Sequence, residues 1–155
     1  MADFVNNPET FVSDVIRPVL RALGLDQDLS AATELLLGTA LQESSLVHRV
    51  QLGGGPARGL FQMEPNTHDD IWANFLKFRA SLAEKVGQFL DESDPNSQLL
   101  TNNDSYAAAK ARVLYFRMGQ PPEAAGQWPG PWCSQSKSAE LGHEWRALRP
   151  LPRAR

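Results

Sequence analysis

Residues 31–67 read AATELLLGTALQESSLVHRVQLGGGPARGLFQMEPNT: an apolar helical run closing on a carboxylate, a glycine-rich loop, and the phrase Gly59-Leu60-Phe61-Gln62-Met63. Ala32, Leu35, Leu36, Thr39, Ala40 and Glu43 recur at helical spacing on one face. Leu37 and Leu41 occupy the opposite face, so the segment is apolar nearly all round, the pattern of a central helix packed on every side. Glu43 falls in the last turn, above Thr39 and Leu36. Burial disfavours an ionised carboxylate there, and the negative end of the helix dipole disfavours it again. Both effects push the carboxyl pKa upward. A protonated carboxyl in a cleft is able to donate to a leaving oxygen, as cleavage of a glycosidic bond requires. The plain alternative is a partly exposed Glu at a helix end, the commonest use of the residue.

The text around Glu43 decides between them. Glu43-Ser44-Ser45-Leu46, then Gly53-Gly54-Gly55, then Gly59-Leu60-Phe61-Gln62-Met63-Glu64-Pro65-Asn66-Thr67 resembles the soluble lytic transglycosylases and goose-type lysozymes. That family carries Glu-Ser at the end of a buried helix and, after a short loop, Gly-Leu-hydrophobic-Gln. A further hydrophobic residue follows, with a Pro shortly before a Thr. The match spans residues 31–67, about a quarter of the chain. It implies a mainly α (α+β) lysozyme-like domain with a buried central helix and a small β-flap beside the cleft. It also implies Glu43 as the catalytic acid, with Ser44, Gly59, Phe61, Gln62 and Met63 on the saccharide side. The family's third motif, Ala-Tyr-Asn before a glycine, places a tyrosine hydroxyl on the catalytic carboxyl. Tyr115, with Gly119 just beyond, is the best match, although Leu114 and Phe116 replace the Ala and Asn. Tyr106, at a helix start, fits less well.

The resemblance implies a peptidoglycan muramidase or lytic transglycosylase acting on the β-1,4 bond between N-acetylmuramic acid and N-acetylglucosamine. Glu43 would protonate the glycosidic oxygen as a carbocation-like centre develops. Capture by the muramyl C6 hydroxyl then gives an anhydro product, and capture by water gives hydrolysis. The second route often enlists another carboxylate, for which Glu64, Asp69 and Asp70 stand in position. No cofactor or metal is implied.

At 155 residues, the chain is expected to be a single domain over 1–148 with a basic, Pro-containing tail at 149–155. A net charge of −3 argues against a nucleic-acid partner, and no apolar run reaches membrane-spanning length. The lone Cys133 excludes an internal disulfide and has no basic neighbour to activate it. The start, MADFVNNPETF, lacks a secretion signal. For a wall-cleaving enzyme this favours a bacteriophage origin, either as a virion component or as a lysin released to the host periplasm. The expected partners are a peptidoglycan strand and other virion proteins.

Along the chain, Asn7-Pro8 opens a first helix with the stripe Phe11, Val15, Val19 and Leu23, kinked at Pro18 and stopped by Gly24. Asp28 or Ser30 caps the central helix. Val50-Gln51-Leu52 and Leu60-Phe61-Gln62 read as two short strands of the flap, with His48 and Arg58 near the cleft. Asn66 is expected to cap one long helix to about Leu90, with the stripe Ile71, Phe75, Phe78, Leu82, Val86 and Phe89. His68-Asp69-Asp70 fall on different sides of that helix, so they do not read as a metal site. A polar loop, 91–103, precedes a helix capped by Asp104 or Ser105, and a last helix covers about Ser138 to Leu148.

Two rival readings stand beside the enzyme. One is a structural virion protein on the same scaffold, favoured by the degraded third motif. The other is a saccharide-binding module built on Trp128 and Trp132.

Overall fold

The computed structural model describes Phe4, residues 7–91 and residues 95–119. Trp128, Trp132, Cys133, the expected last helix and the tail lie outside the described residues. The first helical run starts where the Asn7 carboxamide oxygen accepts from the Thr10 N–H at 3.1 Å, with Pro8 in the first turn, where no N–H is needed. α1 (Pro8–Phe11) passes through a π turn (Val12–Ile16) into α2 (Arg17–Leu23). The π turn stands where the sequence predicts a kink. Pro18 has no N–H for the Asp14 carbonyl and its ring would press on it. The Arg17 N–H instead reaches back to the Val12 carbonyl, and the wider turn carries the helix past the proline. Gly24 closes α2 at φ +67°, and the Leu25 N–H returns to the Leu20 carbonyl at 3.2 Å. Phe11, Val15, Val19 and Leu23 are all buried, so the stripe read from the sequence faces the core.

Asp28 caps α3 (Leu29–Ser44) by accepting from the Ala31 N–H at 3.0 Å. Ala32, Leu36, Thr39 and Ala40 are buried, while Leu35, Leu37 and Leu41 pack half-buried against the core. The long helix expected from Asn66 starts at Pro65 and is broken in two. α4 (Pro65–Asn74) ends, a 3-10 turn (Leu76–Phe78) follows, and α5 (Ala80–Gly87) begins. The break at Phe75 (φ −131°) buries both Phe75 and Leu76, which a continuous helix would point about 100° apart. Phe78 is turned outward and is 72% exposed, so its place in the expected core stripe is corrected.

The expected polar loop carries a short helix, α6 (Leu99–Asn102), with Leu99 and Leu100 buried. Asn103, rather than Asp104 or Ser105, caps α7 (Asp104–Arg117) by accepting from the Tyr106 N–H at 2.8 Å. Every residue of α7 from Tyr106 to Tyr115 is buried, and the helix packs against α2, α3, α4, α5 and α6. Ala107, Ala108, Ala109 and Ala111 allow that close approach from several directions. α3 is therefore one of two interior helices, and α7 is the more enclosed.

The fold is mainly helical, and no strand occurs among the described residues. Where the flap is expected, isolated antiparallel bridges join Val50 to Arg58 and Arg58 to Met63. Leu60-Phe61-Gln62, expected as a strand, is a turn in which Gln62 takes φ +46°. No helix among the described residues is long and apolar enough to cross a membrane.

Candidate active site

Glu43 stands in the last turn of α3, half-buried, with no hydrogen-bond or ion-pair partner among the described residues. Burial raises its carboxyl pKa above the ordinary carboxylate value. Immediately after it the chain turns sharply. Ser45 and Leu46 take left-handed φ values of 53° and 58°, and the Val47 and His48 N–H groups both return to the Ser44 carbonyl, at 2.9 and 3.0 Å. Two consecutive non-glycine residues in that region are costly, and such strain gathers at functional sites.

The loop that leaves this turn is pinned at its base. The Arg49 guanidinium forks onto both carboxylate oxygens of Asp104, tying the loop to the start of α7. The Gly59 N–H donates to the Arg49 carbonyl at 2.8 Å. The Gln62 amide donates to the carbonyls of Gly59 and His48, at 2.8 and 3.0 Å. Arg58 reaches Ser97 and Gln98, at 3.2 and 3.0 Å. The tip, Leu52-Gly53-Gly54, stays exposed. Gly59 holds the base for a geometric reason. Its φ is +74°, and a Cβ there would lie 2.1 Å from the Leu100 carbonyl oxygen.

Of the six residues expected to touch saccharide, only Gln62 keeps partial exposure, and its amide N–H groups hold the loop. The other five are buried. Ser44 is 2% exposed, with its hydroxyl donating to the Ala40 carbonyl at 2.8 Å. Phe61 packs on Phe11 with ring centroids 6.2 Å apart, and Met63 is buried beneath the loop. Gly59 presses on Leu100. Tyr115 is buried with its hydroxyl 2.9 Å from Thr39 Oγ1, one turn before Glu43 on the same face of α3. Glu64 and Asp69 are exposed, and Asp70 is bonded to Asn74 and Arg117.

Tyr106 belongs to a second polar cluster that the sequence reading missed. Its hydroxyl lies 2.7 Å from His68 Nε2 and accepts from Trp72 Nε1 at 2.9 Å. His68 Nδ1 meets Asp69 at 2.7 Å, and Lys110 Nζ donates to the His68 carbonyl at 3.0 Å while lying 5.0 Å from the Trp72 ring centroid. Donor counting makes the His68 ring neutral, with its proton on Nδ1. Burial pushes the Lys110 ammonium down to about 7 and the Tyr106 phenol up to about 12, and it lowers His68. With His68, Tyr106 and Lys110 wholly buried, this cluster bolts α4 to α7 and offers no reactant a way in. A lysine one turn after Tyr106 in the otherwise apolar run AAAKARVLY is the sequence signal for it. No group of three His, Cys, Asp or Glu side chains among the described residues is placed to hold a metal ion.

A shallow groove of about 480 Å³, lined by Leu23, Leu25, Arg79, Leu82, Lys85 and Phe116, lies beside the start of α3. Glu43 is not among its lining residues. It is not part of the candidate site. No protein-family model, curated protein or solved structure matches the chain.

Proposed function

We propose that this protein is a peptidoglycan-cleaving enzyme with a lysozyme-like fold, a muramidase or lytic transglycosylase in which Glu43 alone serves as acid and base. The observation that carries the reading is the state of Glu43. It is a half-buried carboxyl at a helix end, raised toward its protonated form by burial and without a partner among the described residues, at the root of a pinned loop with an exposed tip. A structural carboxylate at such a place would ordinarily be paired or fully solvated. Glu43 donates its proton to the glycosidic oxygen, and the carboxylate left behind then takes a proton from whichever nucleophile captures the sugar. Burial is the cause of its raised pKa. The Val50–Arg58 and Arg58–Met63 bridges support a reduced form of the flap.

A structural role is the second reading. It is favoured by the burial of Ser44, Phe61, Met63 and Tyr115, whose presence packing alone explains. The two are separated by incubating purified protein with murein beside the Glu43→Gln variant. The enzyme reading expects clearing by the wild type and a loss of at least about a hundredfold in the variant. No clearing by either would support the structural role, and equal clearing would exclude Glu43. Mass spectrometry of the released muropeptides then reports the nucleophile, since the anhydro product is lighter by one water.

A further inference from the structure

Lys110 is wholly buried in the middle of α7, and its nitrogen makes one hydrogen bond, donating to the His68 carbonyl at 3.0 Å. An ammonium has three N–H donors, so two would stand without an acceptor in that site. The Trp72 ring, 5.0 Å from the nitrogen, compensates only in part. The ion pairs among the described residues do not include Lys110. The closed seam between α4 and α7 therefore suits the neutral amine and penalises the ammonium.

A proton on Lys110 strains this seam, and the two helices resist unequally. α7 is buried from Tyr106 to Tyr115 and packs against α2, α3, α5 and α6 as well as α4. α4 packs chiefly on α7 and on the 3-10 turn that follows it, and of its side chains only His68 and Ile71 are fully buried. Its other tie to α7, the ion pair of Asp70 with Arg117, is partly exposed and holds little. Both ends of α4 leave the helical conformation, at Glu64 (ψ 147°) and at Phe75 (φ −131°), while Met63 and Leu76 on either side are buried in the core. We propose that the α4–α7 seam is a proton-operated latch, in which uptake of a proton by Lys110 releases α4 between these two hinges while α2, α3 and α7 stay packed. Release carries His68 and Trp72 away from Tyr106 and lets water reach the ammonium. The latch goes beyond the enzyme reading and does not depend on it.

The other titratable groups on the surrounding elements leave this role to Lys110. On α4, Asp69 is bonded to His68 Nδ1, and its charge favours the ammonium without contact. On α7, Tyr106 is held by His68 and Trp72, Asp104 by Arg49, Arg112 by the Leu25 carbonyl and Arg117 by Asp70. α2 and the π turn direct Asp14, Arg17 and Arg21 to solvent, and α5 exposes Glu84 and ties Lys85 to the Leu23 carbonyl. α3 carries Glu34 and Glu43 half-buried, and α6 has no titratable side chain. The direction of the pH effect follows. Lys110 titrates at about 7 in the closed seam against an ordinary 10.5 once solvated. Between those values the released state holds a proton that the closed one lacks, so release becomes easier as pH falls through the window and levels off below it.

Amide hydrogen exchange on the full-length protein tests this, read as protection factors at pH 9 and pH 7 so that the intrinsic pH dependence of exchange cancels. The amides of α4 from His68 to Asn74 are expected to be less protected than those of Leu36 to Ala40 in α3 at both pH values. They are expected to lose protection roughly fiftyfold from pH 9 to pH 7. Lys110→Gln keeps a donor for the His68 carbonyl and removes the titration, so its α4 protection is expected to be the same at both pH values. Lys110→Met stands in should the glutamine variant not fold. Two results from the wild type alone overturn the proposal: α4 as well protected as α3, or α4 protection that does not fall with pH. The same fall in the Lys110 variant overturns it as well.

Discussion

Two constraints coincide at Gly59, and together they make it the residue on which the candidate site most depends. Its backbone lies in the left-handed region, and the Leu100 carbonyl occupies the space a side chain would need. Neither can be relieved locally, because the Gly59 N–H and carbonyl are both bonded, to the Arg49 carbonyl and the Gln62 amide. Gly59→Ala is expected to destabilise the protein by about 2–4 kcal/mol, combining the cost of a non-glycine left-handed residue with overpacking. Gly53→Ala is the control. It has a similar φ of +84° but open space around it, so only the backbone cost of about 1 kcal/mol applies. Chemical denaturation of the two variants checks the difference, and equal losses would mean that the Leu100 contact is not a constraint. The glycine was legible in the sequence as part of the Gly-Leu-Phe-Gln phrase. Its purpose was not, because Leu100 is 41 residues away in the chain and no local pattern announces the encounter.

Among the helices, α3 shows where an element falls short of its own best sequence. Gly38 lies in mid-helix, and a Cβ added there would meet nothing within 4 Å. Gly38→Ala is therefore expected to stabilise the protein by about 0.5–1 kcal/mol, opposite in sign to Gly59→Ala, as read in the same denaturation experiment. The elements legible in the sequence are those with local punctuation. Asn7-Pro8, Gly24 and Asp28 bound their helices where the structure bounds them. The break within 65–87 was not legible, because Ile71 through Phe89 satisfies a single helical period. The break comes from packing, which buries Phe75 beside Leu76 and releases Phe78. Similarly, the position of Glu43 at a helix end could be read from its neighbours. Whether Ser44, Phe61 and Met63 face a ligand or a core could not, since a strip of small and apolar residues serves either purpose until the opposing surface is known. The His68–Lys110 cluster joins residues 42 apart on two helices, so only the odd lysine within an alanine run hinted at it.

For the whole molecule, the buried cluster makes stability depend on pH, and the signs can be worked out. Lys110 titrates at about 7 in the folded protein against an ordinary 10.5. Between those values the unfolded chain holds a proton that the folded one has released, so stability rises with pH across the window. His68, also lowered by burial, acts in the same direction nearer its ordinary value of 6.5. Tyr106 acts oppositely at the alkaline end. Its phenol is pushed up to about 12 from an ordinary 10.0, so the folded state retains a proton there and stability falls again above pH 10. Glu43 contributes stability at acid pH that is lost as pH rises through its elevated folded pKa. The wild type is thus expected to gain on the order of 2 kcal/mol between pH 7 and pH 9, seen as a rise in Tm of roughly 5–8 °C. Lys110→Met retains the length of the side chain and leaves Glu43, His68 and Tyr106 in place, so a comparison with wild type isolates the ammonium. It forgoes the bond to the His68 carbonyl, which offsets part of its gain at every pH alike. The variant is expected to melt at nearly the same temperature at pH 7 and pH 9. A slope as steep as that of the wild type would show that Lys110 titrates at an ordinary value and that water reaches it between α4 and α7.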